Sequence, residues 1–280
     1  MLQGDRDTLN EYVPAALRHK VRHYHGDHWA TPSFEPSVIA QLMYAGFLPI
    51  ATMSRNNYYL LPKLHMQRCV MDPRGLHTPK QIRKKAKGYR LTVNGAFDDV
   101  VRGCHVQHGE AWLYPPVVAA FRAMTAGVSL SQYSGQGHGG VVRIVSVELW
   151  THNDTESSTL VAGELGYTNG AMYTSLTGFI SPGTKGAGTM QLHALGALLH
   201  LSGFQLWDFG MSMAYKLDLG ASNMPRETFL QKVGALRSMP LELKNLGNDG
   251  QQQGRVHDLL QQHRQNQVAV GDSILDEAQP

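Results

Sequence analysis

The Thr-Asn-Gly turn at 168–170, placed between two runs of strand-forming residues, constrains the fold more than any other feature of this sequence. Asn-Gly tolerates the positive φ angles of a two-residue type I′ hairpin, so the flanking runs, 160–167 and 171–180, are expected to pair antiparallel. A run rich in β-branched residues, 142–151, precedes them across the polar loop 153–158. The sequence therefore predicts a three-stranded meander.

A helix and one more strand are predicted after the meander. Residues 181–188 hold four glycine or proline residues and lead to a helical stretch, 189–201, that Gly203 ends. An apolar run, 204–209, comes next, and a helix between two strands implies a right-handed crossover with parallel pairing. This order is that of the acetyltransferase-like (GNAT) fold, in which splayed strands leave a cleft for an acyl donor. We therefore expect an α+β protein with an acetyltransferase-like C-terminal domain and a small N-terminal domain.

Changes in pattern along the chain predict its division. Residues 1–68 are expected to form the small N-terminal domain, with one short helix in 38–47. Residues 69–248 are assigned to the acetyltransferase-like domain, and residues 249–280, rich in glutamine, are predicted to form a flexible tail. The large domain is expected to begin with a helix over 79–87, a strand over 89–93 and helices over 96–104 and 115–126.

Composition indicates a globular protein, with 42% hydrophobic and 17% charged residues. No window approaches the roughly 18 consecutive apolar residues of a membrane span, and residues 1–7 lack the features of an export signal. Cys69 and Cys104 show neither CxxC spacing nor a disulfide framework, which fits a reducing compartment. We expect a soluble cytoplasmic monomer with no membrane partner.

Positive charge is concentrated in residues 63–90, here called the basic strip. It holds nine Lys and Arg residues and one acidic residue, a formal charge of +8, so the rest of the chain carries −5 of the total of +3. Such segregation is typical of a surface that binds a phosphate-rich partner, because each neutralised phosphate releases counterions. The alternative is a solvated basic helix face.

An aspartate stands at the end of the last predicted strand. Residues 204–208, Phe-Gln-Leu-Trp-Asp, place a carboxylate at the tip of an otherwise apolar run. Ligands in α/β sheets bind beyond the carboxyl ends of strands, so Asp208 is positioned to orient an attacking amine or to polarise a hydroxyl. The alternative is an N-terminal cap for a helix that starts near Met211. Both interpretations stay open.

Short motifs in one order along most of the chain carry a family resemblance. They are 89–94 (Tyr-Arg-Leu-Thr-Val-Asn), 96–97 (Ala-Phe), Gly103-Cys104 with Trp112, 146–150 (Ser-Val-Glu-Leu-Trp), 160–163 (Leu-Val-Ala-Gly) with Gly166 and Gly170, 219–221 (Leu-Gly-Ala), Pro225-Arg226 and Phe229-Leu230. In these residues the chain resembles the leucyl/phenylalanyl-tRNA–protein transferases, which move leucine or phenylalanine from charged tRNA to the N-terminal Lys or Arg of proteins. The first 35 or so residues, the segment 129–140 and the tail do not match.

The resemblance implies a hydrophobic pocket for the aminoacyl side chain and a basic surface for the tRNA acceptor stem. Asp208 becomes the expected catalytic carboxylate. The residues expected at the aminoacyl end are Trp112, Ser175, Leu176, Phe179 and Gly210. Those expected to meet tRNA phosphates are Arg74, Lys80, Arg83, Lys84 and Lys87. Trp112 would stack on the terminal adenine, a contact worth about 1–3 kcal/mol, or line the pocket; the alternative is a core tryptophan.

Two positions depart from the family pattern. Where the family carries a glutamine two residues after the aspartate, this chain has Gly210, and where it carries a glutamate in the strand after Gly170, this chain has Leu176. Neither side chain can supply the missing polar group, and removal of one well-placed group commonly costs about 10²-fold in rate. The chemistry then relies on tRNA positioning and Asp208, or the substrate differs, or the protein binds without catalysing.

Two further patterns point to other ligands. Residues 132–137 match the Gln-x-x-Gly-x-Gly pattern of acetyl-coenzyme A binding but precede the meander, and the loop 183–188 has the right place without the initial Gln or Arg. Four histidines between 19 and 28 have metal-binding side chains, but no cysteine or ordered carboxylate accompanies them and neighbouring Lys and Arg would repel a cation. We therefore expect no cofactor and no metal.

The leading hypothesis is an aminoacyl-tRNA–protein transferase. Aminoacyl-tRNA enters along the basic strip, its aminoacyl end lies by Trp112 and Leu176, and Asp208 assists attack by the N-terminus of an acceptor protein or peptide. One alternative is a catalytically inactive tRNA-binding protein, which would bind tRNA in a salt-dependent way without turnover. The other is an acetyl-coenzyme A-dependent N-acetyltransferase, which that cofactor would stabilise against heat.

Overall fold

The computed structural model describes residues 11–131, 139–151, 158–244, 246 and 254–276, with side chains as far as residue 268. The strands are β1 (Arg22–His25), β2 (His28–Ala30), β3 (Leu48–Ser54), β4 (Asn57–Lys63), β5 (Gln67–Met71), β6 (Tyr89–Val93), β7 (Val128–Ser129), β8 (Val141–Thr151), β9 (Leu160–Asn169), β10 (Met172–Ile180), β11 (Leu206–Asp208) and β12 (Ser222–Pro225). The α-helices are α1 (Pro36–Tyr44), α2 (Lys80–Lys85), α3 (Phe97–His108), α4 (Pro115–Met124), α5 (Ala187–Leu201), α6 (Ala214–Asp218), α7 (Arg226–Leu236) and α8 (Val256–Asp276).

These elements form two sheets. The smaller has the strand order β1-β2-β4-β3, and the larger has the order β12-β5-β11-β10-β9-β8-β6 with β7 paired to β8. Sheets combined with helices confirm the predicted α+β class. Among the helices of the described ranges, none is both long and apolar enough to cross a bilayer.

The predicted meander is present, with a different turn. β8 pairs antiparallel with β9, and β9 with β10. Asn169 lies opposite Met172, so the two loop residues are Gly170 and Ala171, and only Gly170 of these has a positive φ, 57°. The type I′ prediction was therefore wrong, since that turn needs two positive φ angles. Asn169 is retained in the strand, where its side-chain amide donates to the Met43 carbonyl at 3.3 Å.

The predicted crossover is also present. α5 leads from β10 to β11, and β11 pairs parallel with β10. Most side chains of α5 are buried, which explains why its sequence is apolar on most sides instead of amphipathic. At Gly196 an added Cβ would lie 2.8 Å from the Trp207 ring of β11, so the missing side chain lets helix and sheet pack closely.

Two apolar clusters cover the two faces of the large sheet. The first combines α1, α3, α4 and the small sheet, and it includes Trp29, Phe47 and Tyr167. The second packs α5 and α8 against the opposite face. The large sheet takes in β5 from Gln67 onward, close to the predicted boundary after residue 68, and the division into two domains stays a prediction.

The prediction of a flexible C-terminal tail was wrong for residues 254–276. α8 packs against α5, and Val256, Leu259, Leu260 and His263 are buried. These residues recur at i, i+3, i+4 and i+7, an apolar stripe that outweighs the glutamine-rich composition. Just before the helix, the Leu91 amide of β6 donates to the Gly254 carbonyl at 2.8 Å, which ties the segment to the sheet edge.

Candidate active site

A cleft opens where the two parallel strands separate. β10 and β11 pair over three residues, and β11 then ends at Asp208 while β10 continues to Ile180. The cleft measures about 540 Å³. Its walls come from 175–180 on β10, the first turns of α5, the end of α3, Gly163 with Glu164 on β9, and Phe209, Met213, Tyr215 and Lys216 after β11. Ligand sites of α/β sheets lie beyond the carboxyl ends of strands, as this one does.

A β-bulge shapes the wall that β10 supplies. Ser175 pairs with Gly166 and Thr177 with Leu165, so Leu176 is the extra residue on β10. Such a bulge bends a strand and redirects its side chains, and it is common beside functional sites. Ser175, Leu176 and Phe179, three of the residues predicted at the aminoacyl end, line the cleft.

Phe179 depends on two glycines. A Cβ at Gly103 would lie 2.5 Å from the Phe179 ring, and a Cβ at Gly163 would lie 2.7 Å from it. The ring can therefore lie against α3 and β9 only because both positions lack a side chain. These two glycines belong to motifs that carry the family resemblance, and the structure gives them a shared physical reason.

Glu164 is a cleft residue that the sequence did not single out. Its side chain is 6% exposed, and its Oε1 atom accepts hydrogen bonds of 2.8 Å from both the Tyr173 hydroxyl and the Ser175 hydroxyl. Burial raises the pKa of the Glu164 carboxyl from 4.5 to about 7, against the lowering effect of the two hydroxyls and Lys216. The sequence signal that could have identified Glu164 is a single acidic residue within an otherwise apolar strand.

Lys216 places a cation in the same cleft. Its Nζ atom donates 2.7 Å hydrogen bonds to the carbonyls of Phe209 and Met211, and the side chain is buried. Burial lowers the pKa of Lys216, while nearby acidic groups raise it. The cleft thus holds an ammonium group and a carboxyl group beside apolar walls, an arrangement suited to proton transfer and to stabilisation of negative charge.

Asp208 lies behind the cleft and is not part of its lining. It is fully buried in an ion pair with Arg68, whose Nε is 3.1 Å from Oδ1 and whose second nitrogen contacts Oδ2. The Thr174 hydroxyl and the Gly210 amide also donate to this carboxylate, at 3.0 and 2.9 Å. The capping alternative was wrong, because the following helix begins at Ala214 and takes no side-chain cap. The predicted catalytic role of Asp208 stays a prediction.

Gly210 and Trp112, both predicted at the aminoacyl end, also lie outside the cleft lining. Gly210 has a φ of 70°, and its carbonyl accepts a 2.8 Å hydrogen bond from the Cys69 amide. Trp112 is half-buried, packs against the first apolar cluster and meets the Phe121 ring edge-on at 6.5 Å. These contacts favour the alternative that Trp112 is a core residue.

The basic strip forms an exposed surface along α2 and its flanks. Lys80, Lys84 and Lys87 are exposed, whereas Arg74 pairs with Asp72. Arg83 is half-buried, donates to the Thr78 carbonyl and faces α8 across a groove of about 650 Å³. α8 lines this groove with His257, Gln261, Arg264 and Gln265, among others. The helix that replaces the predicted tail therefore adds polar and cationic side chains to the basic strip.

The remaining two sequence patterns concern other ligands. Residues 132–137, with the Gln-x-x-Gly-x-Gly pattern, lie outside the described residues. In the N-terminal cluster, the His23 ring contacts the Gly26 carbonyl at 3.0 Å and His28 contacts Asp27 at 3.0 Å. Within the described ranges, no group of three or more His, Cys, Asp and Glu side chains is arranged to hold a metal.

Comparison with known proteins identifies similar sequences. A family model described as leucyl/phenylalanyl-tRNA protein transferase matches residues 70–234, more than half of the 280 residues. The chain is 27% identical over 178 residues to the leucyl/phenylalanyl-tRNA–protein transferase of Pectobacterium carotovorum, which covers 62% of this chain and 67% of that protein. It is 27% identical over 177 residues to the enzyme of the same name from Citrobacter koseri, with coverage of 62% and 67%.

Structural comparison gives a weaker similarity. The C-terminal domain (DUF2156) of a protein described as a lysylphosphatidylglycerol synthetase from Agrobacterium fabrum aligns with 10% sequence identity and a TM-score of 0.37. The alignment covers 66% of this chain and 62% of that chain. This similarity is too low to assign the fold. The sequence match is more informative, because all lining residues of the cleft fall inside the range 70–234.

Proposed function

Because this chain belongs to the leucyl/phenylalanyl-tRNA protein transferase family, we propose that it moves an amino acid of the leucine or phenylalanine type from aminoacyl-tRNA to the N-terminus of an acceptor protein. The observation that carries the proposal is the cleft beyond β10 and β11, which brings apolar walls, a carboxyl group and an ammonium group together inside the matched range. Such a site suits acyl transfer to an amine.

The apolar wall is proposed to hold the aminoacyl side chain. Leu176 and Phe179 on β10 face Leu192 of α5 and Met213 across the cleft. An apolar wall of this kind accepts leucine or phenylalanine and disfavours charged side chains, because an unpaired charge loses its hydration against it. Leu176, the departure from the family pattern, then contributes apolar surface where a glutamate would have introduced charge.

Two polar residues of the site are proposed to differ in role. Lys216 is placed to stabilise the negative charge that develops on the ester carbonyl oxygen during attack. Asp208 is proposed to act as a positioning residue, because its contacts with Arg68 and the Gly210 amide hold the end of β11 beside the cleft. Gly210 serves this framework through its backbone.

The fold is proposed to be acetyltransferase-like. The support is the order of meander, crossover helix and parallel strand, together with the separation of β10 from β11 after three paired residues. In that fold the splayed strands receive the acyl donor. Here the donor is proposed to be the aminoacyl ester of tRNA, with no cofactor.

The basic strip is proposed to bind the tRNA backbone together with α8. Arg74, Lys80, Arg83, Lys84 and Lys87 are the predicted contacts, and Arg264 extends them across the groove. Phosphate contacts position a nucleic acid without reading its sequence. Charged tRNA is a cytoplasmic substrate, so the proposal places the reaction in the cytoplasm, and we propose that the protein acts as a monomer.

The test is transfer of labelled amino acids from charged tRNA to peptides that begin with Lys or Arg. We expect transfer of leucine and phenylalanine, and little transfer of aspartate or lysine. Salt-dependent tRNA binding without any transfer would instead support an inactive binding protein. Thermal stabilisation by acetyl-coenzyme A, with no effect of charged tRNA, would support an acetyltransferase.

The tRNA surface is tested by charge reversal. Lys84→Glu should weaken tRNA binding and reduce the slope of log affinity against log salt concentration by about 1. The reason is that the variant loses the contact between one lysine and one phosphate. Lys232→Glu, an equal charge change on an exposed residue of α7, is the matched control. Equal weakening by both variants would refute a specific role for the basic strip.

A further inference from the structure

Glu164 differs from the other buried glutamate of the described residues in how its carboxylate is used. Glu148 accepts four hydrogen bonds over both oxygens: from Thr92, Ser146 and the backbone amides of Gly95 and Ala96 at the start of α3. That arrangement fastens a helix to a strand and is structural. Glu164 accepts two hydrogen bonds, both on Oε1.

The second oxygen of Glu164 is the informative one. Within the described part of the chain no side chain or amide donates to Oε2, although Glu164 lines the cleft and its side chain is almost wholly buried. Oε2 is not one of the enclosed side-chain atoms that lack a partner among the described residues, so it opens to the cleft. A ligand that brings an N–H donor into the cleft can therefore hydrogen-bond to Oε2.

The structure holds Glu164 in a fixed position. Its Oε1 atom is held by Tyr173 and Ser175, and the Trp207 indole donates to the Ser175 hydroxyl at 3.0 Å. The Tyr173 hydroxyl reaches the carboxylate only because residue 166 is glycine, where an added Cβ would lie 2.2 Å from the hydroxyl oxygen. Three side chains thus orient the Glu164 carboxylate.

The electrostatic surroundings allow this carboxylate to exchange a proton near neutral pH. Burial raises the pKa of Glu164 to about 7. The titratable groups that face it are Tyr173 on β10, Cys104 on α3, and Tyr215 and Lys216 on α6. Lys216 favours the ionised carboxylate, and burial favours the neutral acid.

We propose that Glu164 is the catalytic base that takes a proton from the α-ammonium group of the acceptor, an inference that rests on the transferase function proposed above. Oε2 accepts one proton, and the freed amine lone pair attacks the ester carbonyl carbon. The C–N bond forms, the ester C–O bond breaks, and its electron pair goes to the ribose oxygen of tRNA. Glu164 returns its proton to that oxygen, and the second nitrogen proton leaves to solvent.

The test compares wild type, Glu164→Gln and the control Glu242→Gln in the transfer assay from pH 5.5 to 9. The amide of Glu164→Gln still accepts from Tyr173 and Ser175 but cannot take a proton. We expect its rate to fall by roughly 10² or more, the usual contribution of a general base, with tRNA affinity unchanged. Glu242 pairs with Arg143 at the surface, away from the cleft, and its variant should keep the wild-type rate.

The pH profile separates a base from a structural carboxylate. Wild type uses the ammonium form of the acceptor, whereas Glu164→Gln can use only acceptor amine that has already lost its proton. The ratio of wild-type to Glu164→Gln rates should therefore be constant below about pH 7 and fall above it, as ionisation of Glu164 is complete and free amine becomes more abundant. A Glu164→Gln rate within about threefold of wild type at pH 6, or a ratio that stays constant up to pH 9, would overturn the inference. Wild type that transfers nothing from charged tRNA would instead overturn the proposed function itself.

Discussion

Replacement of Glu164 by Gln is expected to stabilise the protein at alkaline pH, relative to wild type, while it lowers the transfer rate. The wild-type carboxyl has a pKa of about 7 in the folded protein, where burial raises it, and the ordinary value for a solvated glutamate is 4.5. Between these values the folded state binds more protons than the unfolded state, so the free energy of unfolding falls as pH rises through this window. Glutamine does not titrate and escapes this loss.

The size of the effect follows from the two pKa values. One pKa unit corresponds to about 1.4 kcal/mol, so the ionised carboxylate costs roughly 3 kcal/mol of stability at pH 8 and under about 1 kcal/mol at pH 5. The difference between Glu164→Gln and wild type should therefore increase by about 2–3 kcal/mol from pH 5 to pH 8. Any constant cost of burying the amide cancels in this comparison, as does the titration of groups that both proteins share.

The assay is urea unfolding of both proteins at pH 5 and pH 8, followed by tryptophan fluorescence. Equal m-values would show that both unfold from equally compact states. A stability difference that is the same at both pH values would refute the reasoning, because it would mean that Glu164 does not hold a raised pKa. A variant less stable at pH 8 than at pH 5, relative to wild type, would show that ionised Glu164 stabilises the fold.

Three further predictions concern the framework of the site. Asp208→Ala should lower the free energy of unfolding by about 3–5 kcal/mol, because it leaves a buried arginine unpaired; a fully stable variant in urea unfolding would contradict this. Gly103→Ala should cost about 1–3 kcal/mol and raise KM for aminoacyl-tRNA by displacing Phe179, whereas Gly234→Ala, with open space around it, should do neither. Burial lowers the pKa of His263, so docking of α8 should weaken as pH falls below 6.5, and proteolysis of α8 should be faster at pH 5 than at pH 7.5. A His263→Leu variant should lose most of that pH dependence, and an unchanged dependence would show that other groups control the helix.

Local signals in the sequence predicted the elements that build the site. The turn at 168–170, the β-branched runs and the glycine after α5 placed the meander and the crossover, because turn chemistry and apolar periodicity act over a few residues. The apolar periodicity of α8 is equally local, but the glutamine-rich composition of this segment led to the prediction of a flexible tail. The family resemblance, rather than periodicity, singled out Ser175, Leu176 and Phe179, which line the cleft, and their place at the aminoacyl end stays a prediction.

Only the tertiary structure decided what the acidic residues do. Asp208 stood at the tip of a strand in sequence, yet Arg68, 140 residues away, contacts it and removes it from the cleft lining. In the sequence, Glu164 is one polar residue in a strand, and only the packing of β10, α3 and α6 around it shows that its carboxyl is buried. The sequence by itself determined which residues form strands and helices, since these depend on neighbours along the chain. Burial and pairing of a charge depend on neighbours in space, and they separate the carboxylate that holds the fold from the one proposed to move a proton.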